Sequence, residues 1–400
     1  MKILKKYLIS IVNLVKKKNW SKHMLNNDKN KIKICFVSLN SYPLLKKFDL
    51  GYAGGAEIQQ VAISKKLAEK GYNIIFITYG TGNSIETESC GIKILQTYSR
   101  SHAKDINLFK KIYYLYLKMQ AADADIYYYH AGSPGIVTII AKLLRKKIVY
   151  HIASDALIIE KNIIKKNLIE NILGKIGNWI DIKLSNAIIS QNNFQKLLLK
   201  KKFGKESILI KNVVDLPPID NNKTNKENIL WIGTIRSVKQ PEIFLKITEQ
   251  FPNNRFIMIG GMGESIELFE KIKNKSKTIK NLEFKGFIPH DKIYTHYTEA
   301  ILMINTSEIE GFPNIFLEAW MYSIPILSLN VDPDGIIAKY KMGYCSYSID
   351  QLIIDLRYLL DNRKLIKTMG QNGRRYIEEN HDIKKIILQY EQLFSNMIKN

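Results

Sequence analysis

Ser307-Glu308-Ile309-Glu310-Gly311-Phe312-Pro313-Asn314-Ile315-Phe316-Leu317-Glu318-Ala319-Trp320 holds two carboxylates, Glu310 and Glu318, eight positions apart. A Gly-Phe-Pro-Asn turn separates them, and the second acid sits inside an apolar run that reads as a helix. Pro313 suits the first helical position, where its missing N–H costs nothing. The backbone N–H groups of Phe312 and its neighbours are then expected to stay free at a helix N-terminus, where they favour a partly negative ligand. An acid before the turn and another along the helix can both accept hydrogen bonds from the hydroxyl groups of one ligand. A sugar joined to a phosphate has that chemistry.

The pattern resembles the E-x7-E motif of the retaining, GT-B-fold glycosyltransferases of family 4. The spacing alone would equally suit a solvated helix start. The segments around it follow the family's order: Glu310-Gly311-Phe312-Pro313, Leu317-Glu318-Ala319-Trp320, then Ile324-Pro325-Ile326-Leu327 as a short buried strand. The resemblance implies that Glu310 touches the transferred sugar together with Phe312, Pro313 and Asn314, and that Glu318 holds the ribose of a nucleotide.

Outward from this stretch the chain alternates strand-like and helix-like segments, which argues for doubly wound α/β layers. Buried strands are expected at 33–38, 73–78, 126–129, 147–151 and 187–190, with a weaker one at 208–210. Gly54-Gly55-Ala56-Glu57 opens a helix running to Lys70, whose apolar stripe is Ile58, Val61, Ala62, Leu67 and Ala68 and which Gly71 ends. Two prolines and an Asn-rich run then break the pattern at 215–226. A second α/β series follows, with strands expected at 229–233, 255–260, 281–286, 300–305 and 324–328. The expected organisation is a basic amphipathic leader at 1–30, an acceptor-side Rossmann-like domain at 31–214 and a linker at 215–228. A donor-side Rossmann-like domain spans 229–382, and a terminal helix at 383–400 packs back on the first domain. The resemblance covers residues 33–395 and implies the GT-B plan, two such domains around a cleft.

With 400 residues and 46% hydrophobic content the chain can fill two cores. Its three cysteines, Cys35, Cys90 and Cys345, form neither a disulfide framework nor a metal cluster, which suits a reducing compartment. The net charge of +23 attracts polyanions, whether nucleic acid, anionic lipid or phosphorylated substrates. The lysines are scattered, without an arginine-rich arm, an RNA-binding aromatic signature or a zinc finger, so no specific nucleic-acid partner is expected. At the N-terminus, Tyr7–Val15 is too short to span a bilayer, and Lys16-Lys17-Lys18-Asn19-Trp20 follows without a cleavage site. It reads either as an amphipathic helix lying on an anionic membrane or as a disordered basic segment.

Further positions carry chemistry. The diglycine Gly54-Gly55 lets a backbone come close to a ligand, and amide donors at the helix start favour phosphate. The dinucleotide pattern G-x-G-x-x-G is absent there. Arg236 and Lys239 lie in one strand-to-helix loop, a bidentate cation and a point charge suited to a diphosphate. The loop resembles the family's Gly-Arg-Leu…Lys segment with one departure: Thr234 stands where the family has Arg, and Arg236 comes two residues later. Gly260-Gly261-Met262-Gly263 follows a strand, and the resemblance puts Gly263 and Phe287 near the nucleotide base. His151 ends a parallel strand, pointing toward a ligand crevice, and resembles the family histidine that bonds the transferred sugar; His130 has a similar but weaker placement. Asp123-Ala124-Asp125 and Asp332-Pro333-Asp334 look like metal motifs but read as a strand start and a turn. No metal and no cofactor are expected.

The expected activity is a retaining transfer of a hexose or related sugar from a nucleotide-diphosphate donor to a glycan or lipid-linked saccharide acceptor, in bacterial surface polysaccharide or glycoconjugate synthesis. The expected place is the cytoplasm, peripherally attached to the inner membrane. Two alternatives stay open at this point: a GT-B-fold nucleotide-sugar epimerase, and a basic nucleic-acid-binding protein.

Overall fold

The computed structural model describes residues 32–46, 54–80, 87–130, 135–159, 168–216, 226–263 and 265–399. The expected leader at 1–30 and most of the expected linker lie outside these residues. Two sheets organise the rest. The first comprises β1 (Lys33–Val37), β2 (Asn73–Gly80), β3 (Thr87–Ser89), β4 (Ile92–Ser99), β5 (Ile126–Tyr129), β6 (Lys147–His151), β7 (Ala187–Ser190) and β8 (Ile208–Leu209), in the order β3-β4-β2-β1-β5-β6-β7-β8. Only β3 runs antiparallel. The second comprises β9 (Asn228–Ile232), β10 (Phe256–Ile259), β11 (Leu282–Gly286), β12 (Ala300–Asn305), β13 (Ile326–Ser328) and β14 (Gly343–Cys345), all parallel, in the order β11-β10-β9-β12-β13-β14.

Both central strands are solid apolar runs because helices cover both faces: Ile34, Cys35 and Phe36 in β1, and Ile229, Leu230 and Trp231 in β9, are buried. The order reverses between β1 and β5 in one sheet and between β9 and β12 in the other. Ligands of doubly wound sheets bind beyond the carboxyl ends of the strands at such switch points. The fold therefore predicts a site where the ends of β1 and β5 meet those of β9 and β12.

Several expectations need correction. Strands β3, β4 and β14 were absent from the sequence reading, because Lys93 and Gln96 interrupt the apolar run of β4 and the other two strands span only three residues each. The helix Gly55–Glu69 begins where expected, but its buried face includes Gln59, Gln60 and Ser64 beside Val61, Ile63 and Leu67. Ile58 leaves the expected stripe and lines a cavity instead. The helix Asn314–Met321 starts one residue after Pro313, which is its N-cap rather than its first turn. The C-terminal helix Ile383–Lys399 buries Ile387, Tyr390 and Phe394 in one core with Ile34, Phe36 and Tyr128 of the first sheet.

The helix Arg363–Asn380 packs on Asn314–Met321 through two glycines. A Cβ on Gly370 would stand 1.9 Å from the Ser323 carbonyl oxygen, and one on Gly373 would stand 2.2 Å from Trp320 Cδ1. Alanine improves helix propensity by roughly 0.5–1 kcal/mol, but here it would wedge apart a close helix contact. Gly370→Ala is expected to destabilise by about 2–3 kcal/mol, the upper part of the overpacking range. Denaturant unfolding should show a lower midpoint at unchanged slope; an unchanged midpoint would refute this close contact.

Candidate active site

A cavity of about 660 Å³ lies at the predicted place. The first half lines it with Asn40, Gly55, Arg100, His130 and Gln191, and the second half with Arg236, Lys239, Phe287, Glu310 and Glu318. Gly263, Phe312, Pro313 and Asn314 also border it. Every candidate residue named from the sequence except His151 thus reaches one space.

The cation loop is fixed by β12. Trp231 Nε1 donates to Thr306 Oγ1 at 2.9 Å, whose hydroxyl donates to the Lys239 carbonyl at 2.7 Å. The Glu308 amide donates to the Val238 carbonyl at 2.8 Å. These bonds seat the Ser237–Lys239 turn on the loop after β12, and the Lys239 ammonium forms an ion pair with the Glu310 carboxylate. Ser307 Oγ donates to the same carboxylate oxygen at 2.9 Å. The two groups that the resemblance gives to phosphate and to sugar therefore face each other directly. Arg236 precedes the turn in extended conformation and borders the same space.

Glu318 is buried in the second turn of the Asn314–Met321 helix. Tyr297 Oη donates to its Oε2 at 2.6 Å and His290 Nε2 to its Oε1 at 3.2 Å. Burial works against its charge, but His290 and Tyr297 outweigh burial and hold the carboxyl below its ordinary range. His290 is raised in turn, chiefly by its hydrogen bond to Glu318 against a smaller effect of burial. The sequence reading missed both partners. His290 directly follows the Gly286-Phe287-Ile288-Pro289 turn it singled out, and position gave the one available signal.

The sign of each shift sets a pH window. His290, raised above 6.5, contributes stability fully below that value and loses it as the pH climbs through its folded pKa. Glu318, lowered below 4.5, contributes above that value and loses it as the pH falls through its folded pKa. The pair is therefore complete between pH 4.5 and 6.5. In an NMR titration, Glu318→Gln is expected to bring the His290 midpoint down to 6.5 or below; the same midpoint as in the parent would show that the carboxylate does not set it.

The loop between the two acids is tied to the first half of the chain. The Phe312 amide, expected to be free, donates to Gln191 Oε1 at 3.1 Å. Asn192 Nδ2 donates to the Gly311 carbonyl at 3.0 Å, and a Cβ on Gly311 would press within 3.0 Å of both the Ala153 carbonyl and Gln191 Oε1. Asn314 Nδ2 donates to the Gly55 carbonyl at 2.7 Å, and its Oδ1 accepts from Asn212 at 3.0 Å and Gln59 at 3.2 Å. Three polar contacts with the other half thus occupy the Asn314 side chain.

His151 is the main correction. It is fully buried behind His130, with the two rings stacked 4.0 Å apart and 4° from parallel. Its Nδ1 shares a 2.5 Å hydrogen bond with the Tyr128 hydroxyl of the neighbouring strand. His130, not His151, borders the cavity, because β5 lies at the switch point and β6 one strand further out. Burial brings His130 down to about 3, and burial together with His130 lowers His151, so both rings are neutral. Of the set-aside acids, Asp125 accepts from the Lys33 amide, and Asp334 accepts from the amides of Asn193 and Phe194.

Two doubly wound sheets meeting in a cleft are the GT-B architecture, and residues 215–376 match the family model of glycosyl transferases group 1, which together with the names of its relatives marks the chain as a glycosyltransferase. A Haemophilus influenzae protein named as an uncharacterized glycosyltransferase is 24% identical over 362 residues, covering 86% of this chain and 97% of its own length. The O-antigen biosynthesis glycosyltransferase WbnH of Escherichia coli is 26% identical over 155 residues, covering 37% of this chain and 44% of its own. Among solved structures, sucrose-phosphate synthase from Thermosynechococcus elongatus superposes with a TM-score of 0.77 at 16% identity, over 92% of this chain and 100% of that one. Anabaena HepE, solved in complex with UDP, gives 0.65 at 14% identity over 91% and 100%.

Proposed function

We propose that this glycosyltransferase is a retaining enzyme of the family-4 type that moves a sugar from a nucleoside diphosphate to a glycan or lipid-linked acceptor in bacterial surface-glycan synthesis. The observation that carries the reading is the meeting of Lys239, Arg236, Glu310 and Glu318 in one cavity at both switch points. Names among the relatives, O-antigen biosynthesis in one case, support the acceptor class, and the UDP of the HepE complex supports the donor class.

In this reading Lys239 and Arg236 meet the charge that develops on the leaving diphosphate, with amide donors at the start of the Gly55–Glu69 helix beside them. No metal is needed for that neutralisation. Glu310 holds the sugar beside Pro313 and Asn314, with the Phe312 amide already engaged by Gln191; Glu318 holds the ribose, and Phe287 and Gly263 border the base. His151 is dropped from the sugar site, since it does not line the cavity. Among the described residues the carboxylates lining the cavity are all engaged, Glu310 with Lys239, Glu318 with His290 and Tyr297, and Glu57 with Asn40, so this reading assigns none of them as a nucleophile. The acceptor hydroxyl then attacks the face from which the diphosphate leaves. The proposal also sets the enzyme on the inner face of the membrane. The charge of +23 supports this, and no helix among the described residues is long and apolar enough to cross a bilayer.

A calorimetric screen of nucleoside diphosphate sugars, followed by NMR assignment of the product anomer, tests the reading. Binding of none of them would overturn it, and an inverted product would overturn retention. Glu310→Ala is expected to cut turnover while the Kd of bare nucleoside diphosphate stays within about twofold, because truncation frees Lys239 for phosphate. Equal losses for bare nucleotide and full donor would contradict this division of labour.

A further inference from the structure

Asp155 lies shortly past the end of β6 and is not among the residues that line the cavity. It is half-buried, and its Oδ1 accepts from Gln195 Nε2 at 2.9 Å and from Asn192 Nδ2 at 3.4 Å. Both side chains belong to the start of the helix Asn193–Phe203, where Asn192 is the N-cap and its Oδ1 accepts from the Gln195 amide at 2.7 Å. Gln191, Asn192 and Gln195 are at most 4% exposed. Buried carboxamides must satisfy an oxygen and a nitrogen each, and a carboxylate, which only accepts, decides which end turns toward it.

From Asp155 the contacts run stepwise to the acid-bearing loop. With its nitrogen on the carboxylate, Gln195 turns Oε1 to the Gln191 amide at 2.8 Å. Gln191 gives its own Oε1 to the Phe312 amide, so its Nε2 donates to Nε2 of His130 at 3.2 Å, a ring that burial keeps neutral. Asn192 Nδ2 serves Asp155 and the Gly311 carbonyl together. Asp334 reaches the same helix start from the second half of the chain, at the amides of Asn193 and Phe194 and the Asn193 side chain. It supports the helix start without entering the run of carboxamides.

We propose that Asp155 is a positioning residue for the transfer: its carboxylate orders Gln195, Gln191 and Asn192, and through them sets the place of Gly311 and Phe312 and so of the adjoining Glu310. The proposal rests on the reading of Glu310 as part of the sugar site. A displacement of about 1 Å at a reacting group can cost about 10²-fold in rate, so a side chain that touches no ligand can govern turnover. Burial raises the Asp155 carboxyl to about 6 against the hydrogen bonds of Gln195 and Asn192, and the charges of Asp334 and Glu310 add to the rise. It is ionised at neutral pH and takes up its proton as the pH falls through about 6, when its hydrogen bonds lose a charged acceptor. His290, raised above 6.5, changes charge on the opposite limb, and His130 and His151 stay neutral.

Asp155→Ala is expected to speed hydrogen exchange at the Phe312 amide and to lower turnover about 10–100-fold. Turnover is read as UDP released from UDP-glucose or UDP-N-acetylglucosamine, and the Kd of UDP should not change. Asp155→Asn keeps an oxygen in the place of Oδ1. It should restore Phe312 protection and most of the rate, while the fall in turnover below about pH 6 disappears. Asp334→Ala should lower stability yet keep both the protection and the acid limb. Parent-like exchange and turnover in folded Asp155→Ala would overturn the proposal. So would lost protection with full turnover, or an acid limb that persists in Asp155→Asn. Should the parent release UDP from neither sugar, the reading of the sugar site is what fails. Phe312 exchange in the two Asp155 variants then still decides whether the carboxylate holds the loop.

Discussion

Lys239→Ala is expected to lower turnover by about 10²–10³-fold, the magnitude found when a preorganised group facing developing charge is removed. Two effects combine. The leaving diphosphate loses a cation held in place by the Ser237–Lys239 turn and by the contacts of that turn with Thr306 and Glu308. Glu310 also loses its ion-pair partner, which leaves a largely buried carboxylate beside the donor's negative charge. Bare nucleoside diphosphate should weaken as well, unlike in Glu310→Ala. Lys239→Arg keeps the charge but not the point geometry and should recover part of the rate. Full turnover in the alanine variant would remove Lys239 from the phosphate site.

Glu318→Ala is expected to weaken donor binding by about 1.5–3 kcal/mol, or roughly 10–150-fold in Kd, the worth of a hydrogen bond to an ionised group. Tyr297 and His290 hold the carboxylate charged and oriented, so in the proposed role it would meet a ribose hydroxyl as a prepared acceptor. Truncation also strands the buried Tyr297 hydroxyl, so stability falls and Kd must be measured on folded protein. An unchanged Kd in folded Glu318→Ala would place the ribose elsewhere. The two variants differ in signature: one loses rate with diphosphate affinity, the other donor affinity first.

Most of the scaffold was legible because parallel strands buried on both faces leave solid apolar runs. β5, β6, β7 and β12 have the bounds read from the sequence. β4 was hidden by Lys93 and Gln96, since strands nearer a sheet edge tolerate polar residues. Many of the residues that line the cavity stood out by motif, as at Lys239, Glu310 and Glu318. What escaped was information that exists only across long separations. Gln59, Asn212 and Asn314 look like ordinary polar residues until the fold closes a separation of 154 positions to bring the Val213 backbone onto Gln59, and separations of 255 and 102 to bring Asn314 beside Gln59 and Asn212. His151 misled for the same reason: both histidines end parallel strands, and only the lateral order of strands decides which one meets the cavity.

The tie between the acid-bearing loop and the first half has a practical outcome for recombination. Gln191, Asn192 and Asn212 hold the 311–314 segment from one side of the linker, so a chimera cut near residue 215 would inherit only half of each contact. Exchanging the second half for that of a relative would leave three buried amides facing a stranger's backbone. Grafts that carry Gln59, Gln191, Asn192 and Asn212 along with the donor half should assemble, whereas cuts chosen by sequence boundary alone should give two well-formed lobes that fail to seat.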